Sequence, residues 1–147
     1  MPRYADDLVP GEEHALGTHT LTEEAIVEFA RVWDPAPLHV DPEAGRAAGY
    51  GGVIASGLQT LAVYQRLAVP TLWAGFASGV GRRFDVRFRR PVPAGTTVRG
   101  RAVIESVEAR PERGNAVVVI AAELADEAGE VVLALTLDAV MPLRPAG

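Results

Sequence analysis

The sequence contains no cysteine, which excludes disulfides, thiolate metal sites and cysteine nucleophiles together. No apolar run approaches the roughly 18 residues that a membrane-spanning helix needs, and the opening M-P-R-Y-A-D-D-L-V-P has no apolar core behind its arginine. The default expectation is therefore a cytoplasmic protein with no membrane partner. A basic excess is missing as well: 14 Lys and Arg stand against 19 Asp and Glu, a net charge of −5, so nothing points to nucleic acid. Internal repeats, low-complexity tracts and linkers are also absent. What remains is 147 residues, 48% hydrophobic and 22% charged, which is the composition of one globular domain over 1–147 with a core of its own.

That domain is organised around the stretch from Trp33 to Val69. Its first part is a loop stiffened by Pro35 and Pro37 and carrying Asp34 and His39; its last part, from about Ser56, is a helix with Leu58, Leu61, Ala62, Val63, Leu67 and Ala68 on every side. A helix apolar nearly all round must be enclosed by other structure. Ahead of it, residues 1–21 are polar and broken by Pro10 and Gly11, and read as an irregular arm with at most one short edge strand near His19-Thr20-Leu21. Thr22 is an N-cap, with Leu21 placed to pack on Ile26 and Glu23 and Glu24 in the first turn, opening a helix to about Val32 whose buried face is Ile26, Phe29, Ala30 and Trp33. The prolines end it, and Asp41-Pro42 starts a short helix to Ala48 that Gly49 closes.

After Pro70 the period changes. Phe84, Val86 and Phe88 alternate with Asp85, Arg87 and Arg89, as in a strand with one buried face. A second strand runs from Thr97 to Val107 with a possible bulge at Gly100, and two almost wholly apolar strands follow, Ala116–Leu124 and Val131–Met141, expected to be covered on both faces or by a partner. The fold class is α+β, a curved antiparallel sheet wrapped around the long central helix.

Asp34 and His39 are the candidate chemical pair. A carboxylate beside an imidazole can hold a water and move protons near neutral pH; alternatively Asp34 merely closes the turn and His39 fills a polar gap. Ser56 and Gly57 open the central helix, where unpaired amides and the dipole favour a developing anion, although glycine also sits at helix starts for conformational reasons. His14 and His19 lack metal-ligand spacing and read as surface residues, so no metal site is expected. The arginines at 82, 83, 87, 89 and 90 read as the solvent face of a strand, or in part as contacts for a carrier's phosphates.

The run F-A-R-V-W-D-P-A-P-L-H-V-D-P-E-A-G-R-A-A-G-Y-G-G-V-I-A-S-G-L resembles the signature of the MaoC-like dehydratases, which include the (R)-specific enoyl-CoA hydratases, and G-R-R-F-D-V-R-F-R-R-P-V-P-A-G-T-T-V resembles that family's later strand and turn. The resemblance implies a hot-dog fold, dimeric by the family's habit, that hydrates a trans-2-enoyl thioester reversibly to a 3-hydroxyacyl thioester. It implies Asp34 and His39 as catalytic residues and the Gly57 amide, with Ser56, at the thioester carbonyl, a donor of a kind worth some ~3 kcal/mol. No cofactor is implied beyond coenzyme A or an acyl carrier as part of the substrate, and Arg82 and Arg83 are the candidate phosphate contacts. Trp33 stands where many members have Gly, Ala36 where many have Asn, and Gln65 near where some place a serine supporting the aspartate; Trp33 and Gln65 are thus candidates for the acyl pocket or for support of the site. Two other activities fit the same fold: a thioesterase, although Gly57–Val69 contains no Asp or Glu to activate water, and a non-catalytic acyl-thioester binding module.

Overall fold

The computed structural model describes residues 1–147, and its architecture is a five-stranded antiparallel sheet, in the order β1-β3-β4-β5-β2, with its helices gathered on one face. The chain runs β1 (Glu13–Leu21), α1 (Glu23–Trp33), α2 (Pro37–Val40), α3 (Pro42–Ala47), α4 (Gly57–Ala68), β2 (Val80–Phe88), β3 (Thr96–Arg110), β4 (Asn115–Ala125) and β5 (Val131–Pro142). This is the hot-dog arrangement. Sequence order and spatial order diverge only at the edges, where β1 pairs with β3 and β2 crosses to pair with β5.

The expected irregular arm holds only as far as residue 12; Glu13–Leu21 is a nine-residue edge strand, longer than the short one expected near His19. Its alternation is broken by one residue: Ala15 and Gly17 pair with the consecutive Arg101 and Gly100, so Leu16 is the extra residue of a bulge and turns into the core. A single bulge hides a strand from any period-2 reading. The bulge expected at Gly100 therefore lies on the opposite strand. Gly100 is small because a Cβ there would sit 3.0 Å from Leu16 Cβ and 3.2 Å from Leu124 Cδ2.

Thr22 caps α1 by accepting from the Ala25 amide, and Ile26 and Ala30 are buried beneath it. Trp33, expected on the same buried face, is 68% exposed. It is the last residue of the helix.

Helix α4 is enclosed on one side only. Gln59, Thr60, Val63, Tyr64, Leu67 and Ala68 are buried, whereas Leu58, Ala62, Gln65, Arg66 and Val69 are exposed. Strand β2 is open in the same way. It begins at Val80 rather than near Phe84, and of the face expected to be buried only Val86 is half-buried, with Phe84 43% and Phe88 57% exposed. An edge strand has one neighbour and no helix of its own chain fully over it, so an apolar alternation does not guarantee burial. Strands β4 and β5 each bury one row throughout, Ala116, Val118, Ile120, Ala122 and Leu124 against Leu133, Leu135, Leu137, Ala139 and Met141, and only Val117 and Val132 of the other rows. Covering on both faces, the other expectation, fails within one chain: the outward residues Val119, Ala121, Ala134 and Val140 are half-exposed. Their smallness made the runs look apolar throughout.

Candidate active site

Asp34 is the C-cap of α1. Its amide still donates to Ala30 O at 2.9 Å, but Pro35 forces it out of the helix, to φ −158° and ψ 73°, and the side chain is released toward the start of α4. There the Ser56 hydroxyl donates to Asp34 Oδ2 at 2.8 Å. Ser56 is fully buried, and its oxygen also accepts from the Leu58 amide at 3.2 Å as the cap of α4. One hydroxyl thus starts the helix and aims the carboxylate.

His39 sits on a helical turn, α2, within what the sequence presents as a loop. The turn has Ala36 as a cap without a side-chain bond and Pro37 in its first position. Two bonds lock it to the strand-like segment before α4: the Ile54 amide donates to Leu38 O at 3.1 Å, and His39 Nδ1 donates to Ile54 O at 2.7 Å. That second bond puts the proton on Nδ1 and leaves Nε2 as the free nitrogen of the neutral ring. Nε2 faces Asp34 Oδ2 at 3.5 Å. Nearby, α3 packs against the Gly51-Gly52 turn so closely that a Cβ on Gly45 would lie 1.7 Å from Gly52 O. No other residue fits there.

Gly57 is the first residue of α4, and its amide has no acceptor within the chain. A Cβ on it would stand 2.7 Å from Phe88 Cε1, so a larger residue would have to push that exposed ring aside, whereas glycine lets it lie against the helix start. Gly57 opens on a cavity of about 270 Å³ whose rim includes Ile54, Thr60, Phe88, Arg89 and Arg90. Asp34 and His39 flank the Ile54–Ser56 segment and are themselves part-exposed, their side chains 34% and 15% accessible, and they line none of the four principal cavities of the single chain.

The structure therefore brings together Asp34, His39, Ser56 and Gly57. Ser56 differs from its expected place at the substrate: both sides of its hydroxyl are used inside the protein, and it holds Asp34. Gln65 does not support the aspartate. It lies more than two turns along α4, exposed, on a larger cavity of about 360 Å³ with Val69, Trp73, Phe76 and Phe84. Trp33, projecting into solvent, lines no principal cavity. Arg82 and Arg83 are at the far end of β2 from Gly57, and Arg82 is drawn to Asp138 at 3.6 Å; the arginines beside Gly57 are Arg89 and Arg90. His14, expected at the surface, is half-buried in β1 with Nε2 3.2 Å from Glu12 Oε1. The orienting role of Ile54 was invisible in the sequence because a carbonyl carries no residue-type signal; that of Ser56 was hinted at by its capping position alone.

One further polar group lies in the seam between α4 and β2. Tyr64 is fully buried, its ring meets Phe84 edge-on at 6.5 Å, and its hydroxyl has no partner. Burial pushes the phenol up to about 12, so it stays protonated.

An aspartate and a histidine fixed by backbone and hydroxyl, beside a free helix-start amide on a hot-dog sheet, define a class before any name does. Residues 9–127 match the family described as MaoC like domain, and the chain belongs to that family. A protein of Streptomyces avermitilis named UPF0336 protein is 38% identical over 120 residues, 77% of this chain and 79% of its own length. The 3-hydroxyacyl-thioester dehydratase Z of Mycobacterium tuberculosis is 36% identical over 95 residues, 60% of this chain and 61% of its own. Among solved structures, the MaoC-like dehydratase from Rhodospirillum rubrum superposes with a TM-score of 0.87 at 28% identity, covering 98% of this chain and 99% of the other. No helix is long and apolar enough to cross a membrane.

Proposed function

We infer that this chain is a hydro-lyase that adds water reversibly to a trans-2-enoyl thioester of coenzyme A or an acyl carrier, giving the 3-hydroxyacyl thioester. The observation that carries the reading is the Asp34–His39 pair, 3.5 Å apart with each member separately locked, Asp34 by the hydroxyl of Ser56, the residue just before the Gly57 amide. In the hydration direction a water held between Asp34 Oδ2 and His39 Nε2 attacks C3 of the enoyl group. The C3–O bond forms as the pair takes a proton from the water, and electron density moves through C2 onto the thioester oxygen. The Gly57 amide is placed to hold that oxygen while it is anionic. The pair then returns the proton to C2, so that OH and H add across the double bond with no other reactant.

The second copy expected from the family's habit has a place to sit. Leu58 on α4, Val69 at its C-cap and Phe84 and Phe88 on β2 form an exposed apolar face beside the free edge of β2, and Asp34 and His39 are partly open to solvent in one chain. A homodimer that covers this face supplies an outer wall. The same reading places the reaction in the cytoplasm.

The test follows the loss of conjugated enoyl absorbance of crotonyl-CoA alongside release of free thiol. Loss of absorbance without thiol, reduced about 10³-fold in both Asp34→Asn and His39→Ala and no further in the double variant, is the expected result, since the two act as a unit. Thiol release would assign a thioesterase instead. Tight binding with no turnover, unaffected by either variant, would assign a binding module. Light scattering should give twice the 15.6 kDa chain mass, and a monomer at micromolar concentration would refute the dimer.

A further inference from the structure

Five of the nine residues from Arg82 to Arg90 are arginines, a dense positive strip in a chain of net charge −5. Two of them are already engaged: Arg82 with Asp138 at 3.6 Å and Arg90 with Glu130 at 3.1 Å. Arg87 and Arg89 are exposed and enter no ion pair. Arg89 is the residue common to two recesses. It borders the Gly57 cavity, and it also borders a shallower recess of about 230 Å³ on the outer face of the sheet, together with Arg87, Asp85, Ala134 and Thr136. The register puts Arg87 opposite Ala134 and Asp85 opposite Thr136, so the acid closes the recess at the end away from Gly57.

We propose, resting on the reading of the site above, that Arg87 and Arg89 receive the phosphate of the phosphopantetheine arm that carries the acyl group. The arm must place its thioester carbonyl at the Gly57 amide and its phosphate one arm-length away. Extended, it spans about as much as five residues of backbone, roughly 17 Å. Phe88, whose ring meets Gly57, stands between Arg87 and Arg89 in the strand, so both guanidinium groups lie within reach of an arm that starts at the Gly57 amide. Arg87 and Arg89 are about 7 Å apart along the strand and each side chain adds its own reach. Arg83 lies about 14 Å further along the strand than Arg87, beyond the arm. Arg90 is turned to Glu130. Guanidinium forks suit phosphate oxygens, and an unpaired arginine sacrifices no existing ion pair to bind one.

The test measures binding, so it does not depend on turnover. Wild type, R87A/R89A and the control R99A, an exposed arginine on β3 away from the cavity, are titrated calorimetrically with S-butyryl-pantetheine, S-butyryl-phosphopantetheine, S-butyryl-coenzyme A and a butyryl-loaded carrier protein. The saturated chain cannot be hydrated. Wild type and R99A are expected to bind the phosphate-bearing ligands about tenfold or more tightly than S-butyryl-pantetheine, a preference weakened by salt, and R87A/R89A to bind both alike. R87K/R89K should recover part of the preference. Equal binding of both ligands by wild type, or a preference that survives in R87A/R89A, overturns the assignment while leaving the reaction intact. Arginine dependence seen only with the carrier protein also overturns it, because the arginines would then read the carrier's surface. Binding of none of the four ligands would refute the reading of the site itself and this inference with it. Where the preference is found, coenzyme A and carrier protein are ranked by which binds more tightly.

Discussion

Replacing Ser56 with alanine separates the two tasks that its hydroxyl performs. The bond it donates to Asp34 Oδ2 at 2.8 Å is to a charged acceptor, a class worth about 1.5–3 kcal/mol. The carboxylate is a third exposed, so water replaces part of what is lost and the lower figure applies. At about 1.4 kcal/mol per factor of ten, kcat should fall roughly tenfold, with KM within about twofold, because the carboxylate loses its aim and not the substrate its binding surface. The same change removes the cap bond from the Leu58 amide, costing about 1 kcal/mol of stability and some 3 °C in Tm. Ser56→Gly gives the cleaner comparison, since glycine caps within a few tenths of a kcal/mol of serine. It should lose the rate as Ser56→Ala does and melt above it by the cap's share, since both variants lose the bond to Asp34. The assay is hydration of crotonyl-CoA with a parallel thermal melt. A full rate in Ser56→Gly would refute the claim that this hydroxyl orients the catalytic carboxylate and would leave Ser56 as a cap alone.

Gly57→Ala should push the exposed Phe88 ring off its rotamer at a cost of about 1 kcal/mol, and Phe88→Ala in the same chain should restore much of that loss in a chemical denaturation series. Ala36→Asn supplies the missing cap of the His39 turn and should raise stability by about 0.5–1 kcal/mol without lowering the rate, measured by the same series and the hydration assay. Asp7 is held below the usual carboxylate range by the Tyr4 amide and by Arg144, against the opposing effect of its own desolvation. A lowered folded-state value means that its contribution is complete above the ordinary aspartate range and lost as pH falls through the lowered one. Asp7→Asn should thus melt below wild type at neutral pH, and the two melting curves should converge on acidification.

Much of the candidate site's local geometry was legible in the sequence, for reasons that can be named. Prolines at 35 and 37 permit few backbone conformations, so the release of Asp34 from α1 follows from local sterics alone. Thr22 and Asp41 are read as helix starts that their own side chains cap, and Ser56-Gly57 as the start of α4, because the groups concerned are neighbours in the chain. The resemblance in the same stretch pointed to the hot-dog sheet that the structure has. What failed to read were elements whose state depends on distant partners. Strand β1 was masked by the bulge at Leu16, and the burial expected for Phe84, Phe88 and Trp33 depended on cover that one chain does not provide. Arg82 and Arg83 looked equivalent to Arg89 on paper, since nothing in a run of arginines says which one meets a cavity.

Local chemistry, then, was decided by the amino-acid order: which residues stop helices, which start them, and which carry an acid or an imidazole. Only the tertiary structure decided that the Ile54 carbonyl sets the tautomer of His39, that Ser56 faces Asp34 rather than substrate, and that Gln65 belongs to another cavity. The physical reason is range. Capping and proline sterics act across three or four residues, whereas the Asp34–Ser56 and His39–Ile54 bonds join groups 22 and 15 residues apart that meet only because the packing of α1, α2 and α4 brings them within hydrogen-bond distance.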